Sequence, residues 1–178
     1  MKKTEITTDK RKAKIKTPTT AMKRLMFESN LHELYWCEKH LSELLPEFSK
    51  LATSYELGSA ILAHLAVTEN QIIRLIHVFD AIGERAVGND CDAISNVIDV
   101  PKIRNSESGF ERDTQIINSC QQIMDYEIKT YTQLQSYAID LNEELAAEFL
   151  ATAVKEERNT QRRLNDISLS AIYFDAAS

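Results

Sequence analysis

The chain has 178 residues, enough for one domain with a real core, and its four glycines and three prolines allow few turns, so its elements must be long. With 43% hydrophobic and 27% charged residues it has the make-up of a soluble helical protein, and no apolar run reaches the length needed to span a bilayer. Residues 1–20 hold seven basic and two acidic residues, a charge of +5, whereas the whole chain carries −6; a basic tail therefore precedes an acidic body of −11.

The tail, MKKTEITTDKRKAKIK, has no hydrophobic segment after its charges and does not read as a secretory signal. Cys37, Cys91 and Cys120 are odd in number and contain no C-x-x-C pair. The expectation is a reduced, cytoplasmic protein with neither a disulfide framework nor a zinc knuckle. Domain limits follow: a flexible tail over 1–18, a helical domain over 19–170 and a loose C-terminal tail over 171–178.

Thr19 or Thr20 can cap a first helix that keeps its periodicity to about Ala52, with Pro46 expected to kink it or split off its last turns. Thr53 or Ser54 caps a second helix, ending near Gly83. GNDCDAISNVIDVP suggests a short helix at 91–99, ended by Pro101. Ser108-Gly-Phe-Glu111 fits a capping box that opens a third long helix, to about Ile139. Asp140-Leu-Asn-Glu143 fits a second box that opens a fourth, to about Ser170. Short turns make antiparallel hairpins of helices one and two and of helices three and four, and one long crossover joins the pairs. The predicted fold class is all-α, a four-helix bundle of ferritin-like topology with a short fifth helix in the crossover.

Each long helix has a seam of inward positions at alternating steps of four and three. The first reads Phe27, Leu31, Leu34, Glu38, Leu41, Leu45, Phe48; the second Gly58, Leu62, Leu65, Glu69, Ile72, Ile76, Phe79. The third reads Ile117, Cys120, Met124, Glu127, Tyr131, Leu134, Ala138; the fourth Ala146, Leu150, Ala153, Glu157, Thr160, Leu164, Ile167. Every seam holds one glutamate. Glu38 and Glu69 lie equally far from the first turn, Glu127 and Glu157 from the second, so each pair is level across its hairpin. Their spacings, 31 and 30 residues, hint at an internal duplication. Four buried carboxylates would repel one another at a cost of several kcal/mol or more, and two divalent cations would cancel their charge. Glu38, Glu69, Glu127 and Glu157 are therefore the candidate metal ligands. The alternative is a bundle with protonated or water-linked carboxylates.

The segments LYWCEKHLSELLPEF (34–48), HLAVTENQIIRLIHVFDAIGE (64–84), MDYEIKTYTQLQSYA (124–138) and AVKEERNTQRRL (153–164) resemble the YciF-like stress proteins of the ferritin-like superfamily. The resemblance covers roughly residues 20–170. It implies a bundle, a homodimer and a di-metal centre, with a link to oxygen or peroxide in stress; an oxygen-rich ligand set of this kind takes iron or manganese, with magnesium as a competitor. The ferritin-like pattern puts Glu-x-x-His on two helices, and here the third positions after Glu69 and Glu157 are Ile72 and Thr160, a departure that such sequences share. Family members also carry an acidic residue near Ser95.

Other residues carry two readings each. His64 is about 140° around the helix from Glu69 and is assigned to an interhelical or dimer contact rather than to the ligand set; His32, His40 and His77 read as surface residues. Glu33 and Glu156 are outer ligands or solvated flanks. Tyr131 and Tyr35 bond a ligand carboxylate or fill the core, and Cys120 is a small core residue. Residues 2–16 bind nucleic acid through phosphates or stay solvated, and lack the aromatics that stack bases. A non-catalytic dimeric bundle with a vestigial site is the competing function.

Overall fold

The computed structural model describes residues 18–91 and 99–176, with side chains through Ser170. The basic tail, Ser95 and nearly all of the short helix expected at 91–99 lie outside the described residues. Among the described residues five helices follow one another: α1 (Thr20–Leu51), α2 (Tyr55–Ile82), α3 (Val100–Arg104), α4 (Gly109–Asp140) and α5 (Glu144–Ala176).

Local chemistry sets their ends. The Thr19 hydroxyl accepts from the Met22 N–H at 3.3 Å, and Ser54 does the same for Leu57 at 3.3 Å. Gly83 closes α2 at φ +76°, a backbone that L side chains rarely adopt. Ser108 caps the Glu111 N–H at 3.1 Å, and the Glu111 carboxylate turns back to the Glu107 N–H at 2.9 Å, so the capping box closes one residue early.

Four boundary expectations change. Pro46 does not split α1, which runs unbroken through it; the break is avoided at the cost of one missing N–H donor late in the helix. Pro101 opens a helix, because it occupies the first turn of α3, where its missing N–H has no partner to lose; the helix it was expected to end, at 91–99, lies almost wholly outside the described residues. Asp140 is the last residue of α4, not the cap of α5, since Leu141 and Asn142 (φ +59°) make the turn. And α5 continues past Ser170 to Ala176.

The long helices stand at the corners of a square in the order α1, α2, α5, α4, each hairpin packed along its own length and the two hairpins packed side by side. Both ends are latched across hairpins. At one end Asp113 of α4 accepts the Thr53 and Ser54 N–H groups at 2.6 and 2.8 Å. Gly109 lets α4 approach there, since a Cβ would lie 2.8 Å from Thr53. At the other end Lys23 pairs with Asp140 at 2.5 Å and Arg24 with Glu143 at 2.6 Å.

The core falls into two apolar clusters. One gathers Leu41, Leu45, Phe48, Leu57, Ile117 and Leu164 around the first turn; the other gathers Phe27, Leu31, Phe79, Leu134, Ala146 and Leu150 around the second. Between them lies a layer of buried polar side chains.

Candidate metal centre

That layer consists of Glu38 from α1, His64, Thr68 and Gln71 from α2, Glu127 from α4 and Glu157 from α5. All three glutamates are 0% exposed. The seams read from the sequence for α1, α4 and α5 are the seams that face inward. For α2 the phase is one residue off. The inward residues are Leu57, Ile61, His64, Thr68, Gln71, Leu75 and Val78, while Leu62 is 52% exposed and Glu69 faces solvent. Glu69, the fourth expected ligand, is thus placed outside the cluster, and Thr68 takes its level. Electrostatics favours this phase: a fourth carboxylate would add repulsion, whereas this face of α2 brings an amide and an imidazole to the acids.

Glu157 receives the Gln71 amide N–H on Oε1 at 2.7 Å, and its Oε2 lies 3.5 Å from His64 Nε2, too poorly aligned for a hydrogen bond. Glu38 accepts the Tyr131 O–H on Oε1 at 2.5 Å, across the bundle from α4. Neither oxygen of Glu127 accepts from an N–H or O–H donor; its near polar neighbour is the Glu157 carboxyl, with which it can only share a proton. Burial, and then the charge of Glu157, push the Glu38 carboxyl well above the usual range, against the pull of the Tyr131 hydroxyl. Burial, then Glu38 and Glu157, do the same to Glu127. Burial and the Glu38 carboxylate raise the Tyr131 phenol.

The layer is therefore under-satisfied. Glu38 Oε2, both Glu127 oxygens, Glu157 Oε2, both His64 nitrogens, Thr68 Oγ1 and Gln71 Oε1 are buried without a hydrogen-bond partner. Orphaned acceptors of this kind cost of order 1–3 kcal/mol each unless something compensates them. One ligand atom each from His64, Glu127 and Glu157 lie within 4.8 Å of one another, a spacing that could hold a single cation. Carboxylate oxygens with an imidazole nitrogen form a donor set for a first-row divalent metal; the imidazole disfavours magnesium. The residues present fit the group.

Around this set, Gln71 also reaches Glu156 at 3.5 Å, and Arg74 pairs with the same half-buried carboxylate. Burial raises Glu156 and Arg74 opposes that rise. Glu156 is thus tied to Arg74 and not turned into the layer. Glu33 sits beside Ser29, Tyr35 packs edge-on against Phe79, and Thr160 back-bonds to the Glu156 carbonyl. His40 stacks on Trp36 and His77 is exposed. His32 is more than a surface residue: its Nδ1 donates to the Val87 carbonyl at 2.5 Å and holds the start of the crossover.

Sequence reasoning assigned His64 to a contact and passed over Thr68 and Gln71. The available signal was a second four-three stripe on α2, one residue behind the apolar one, whose only polar members fall at the level of the glutamates.

A family model described as a domain of unknown function (DUF892) matches residues 22–176. Protein YciF of Escherichia coli (strain K12) is 28% identical over 145 residues, spanning 80% of this chain and 87% of that protein. The crystal structure of the Escherichia coli stress protein YciF superposes with a TM-score of 0.80 at 27% identity, over 85% of this chain and 97% of that one. YcfI from Rhodopseudomonas palustris gives a TM-score of 0.77 at 27% identity, over 86% and 96%.

Proposed function

The chain belongs to the DUF892 family of YciF-like helical bundles, and from that premise we propose that it is a metal-binding stress protein whose core layer holds a divalent transition metal, iron or manganese. The observation that carries this reading is the buried set His64, Glu127 and Glu157, converging within 4.8 Å with most of its polar atoms unpartnered. One cation among these carboxylates offsets their mutual repulsion and replaces the missing hydrogen bonds in one step. Glu38 is the residue through which a second, bridged ion would be held, as the di-metal expectation requires. Tyr131 and Gln71 orient the carboxylates by their hydrogen bonds to Glu38 and Glu157.

Iron or manganese bound there would supply redox chemistry toward oxygen or peroxide. The protein's own part is to exclude water, since the two apolar clusters close the layer above and below, and to hold protons on the buried carboxyls when no cation is present. The homodimer belongs to the same proposal; it is supported by Leu62, Ile73 and Ile76, exposed on the outer face of α2.

The test is elemental analysis of protein purified without chelator, followed by titration of the stripped protein with Mn²⁺ and Fe²⁺. About one ion per chain, with affinity reduced about a hundredfold or more in Glu157→Gln, is expected from the loss of a ligand. A second equivalent lost in Glu38→Gln would establish the bridged pair. No retained metal, no binding on titration, and a Glu157→Gln variant more stable than the wild type would overturn the reading.

A further inference from the structure

The crossover begins pressed onto α1. Gly88 lies so close that a Cβ there would sit 2.9 Å from the Trp36 Cβ. The Asn89 N–H donates to the His32 carbonyl at 3.2 Å, and the His32 ring donates to Val87. Three successive crossover positions are thus fixed against one face of α1. Two residues further on, Cys91 reaches the interior beside Cys37.

Both sulfurs meet one phenol. Cys37 Sγ donates to Tyr126 Oη at 3.9 Å, and Cys91 Sγ lies 3.2 Å from the same oxygen, where either the thiol or the phenol can donate. Burial, and after it the neighbouring Cys91 sulfur, push the Cys37 thiol up. Neither is in a disulfide. Among the described residues no third His, Cys, Asp or Glu ligand atom joins them, so the pair lacks the donors of a zinc or copper site. They differ in access: Cys37 is fully enclosed, whereas Cys91 is 7% exposed and sits on non-helical chain.

We infer that Cys37 and Cys91 are a peroxide-oxidisable dithiol, a modification site that locks the crossover onto α1 one residue from Glu38. The reagent is hydrogen peroxide. The Cys91 sulfur, giving up its proton, attacks one peroxide oxygen; the O–O bond breaks, water leaves, and Cys91 becomes a sulfenic acid. The Cys37 sulfur, giving up its proton, then attacks the Cys91 sulfur. The S–S bond forms, the S–O bond breaks and a second water leaves. Two thiols lose one electron each, and hydrogen peroxide gains two. The site does not depend on metal binding.

Reduced full-length protein, stripped of metal with chelator, is treated with one equivalent of hydrogen peroxide, quenched, then unfolded in denaturant containing the alkylating reagent and mapped by mass spectrometry. Expected are a Cys37–Cys91 linked peptide, two thiols lost per peroxide consumed, recovery with a dithiol reductant, and Cys120 alkylated throughout. In the Cys91→Ser variant Cys37 stays alkylatable, because nothing starts the reaction. The preference for this pair over Cys91–Cys120 disappears in denaturant. The inference is overturned if wild-type Cys37 remains alkylatable under excess peroxide, if Cys91 stops at the sulfinic acid beside a free Cys37, or if Cys91 links mainly to a second chain.

Discussion

In the second hairpin both long helices turn a glutamate into the core, Glu127 and Glu157; in the first hairpin only α1 does, and α2 presents His64, Thr68 and Gln71 at that level. The two halves share length, turn position and inward stripe, yet one supplies mostly acceptors and the other supplies an amide, a hydroxyl and an imidazole. Repeated architecture fixes where a side chain sits, and charge balance decides what can sit there. Two carboxylates and one imidazole, with Glu38 beside them, could hold a single cation; a fourth carboxylate would need a second ion or shared protons.

Making the halves alike tests this most severely. Thr68→Glu places a fourth carboxylate in the layer. In chelator, it is expected to cost about 3 kcal/mol or more, read from the urea midpoint, while raising the metal stoichiometry toward two. An unchanged midpoint would mean that the halves are interchangeable. A milder perturbation is Tyr131→Phe, which removes the only donor to Glu38 among the described residues. A loss of about 1–2 kcal/mol is expected, with the Glu38 carboxyl driven further up.

Proton linkage gives a slope instead of a step. Glu38 and Glu127 have folded-state affinities for protons raised above the ordinary carboxylate value of 4.5. The folded chain therefore binds more protons than the unfolded one above about pH 4.5, and this contribution to stability is lost as pH rises toward the raised values. Metal-free protein should lose midpoint as pH rises from 5 to 8, and Glu127→Gln should flatten the slope; a midpoint rising over that range would contradict the buried acids. Metal affinity runs the other way and strengthens with pH, since the ion displaces those protons. The smallest effect is expected outside the layer: Glu69→Ala should change stability by no more than about 0.5 kcal/mol and leave metal content unaltered.

The sequence made three of the four seams legible because α1, α4 and α5 each carry one apolar stripe, so their glutamates could be placed by counting. Helix α2 carries two stripes one residue apart. Leu62, Leu65, Ile72 and Ile76 make the more apolar one, and Leu57, Ile61, Leu75 and Val78 make the buried one, interrupted by His64, Thr68 and Gln71. Counting apolar residues selects the wrong stripe, because polar residues in a core resemble surface until their partners are known. The partner here is Glu157, 86 residues from Gln71 in the chain and in direct hydrogen-bond contact with it in space. Pro101 was read only as a stop, although a proline fits equally well in the first turn of a helix, and α3 starts there.

Asp113 has a consequence for the order of folding. Each hairpin is local in sequence and can close on its own, whereas bringing the two together is the long-range step. A carboxylate whose two oxygens meet two adjacent N–H groups, those of Thr53 and Ser54, fits at one height only. Were the hairpins to slide by a helical turn, those donors would lose their acceptor and the buried acids would face hydrocarbon in place of His64 and Gln71. Assembly is thereby checked twice, once at the rim and once at mid-height, and a misaligned pair of hairpins has no comparably deep minimum in which to stay.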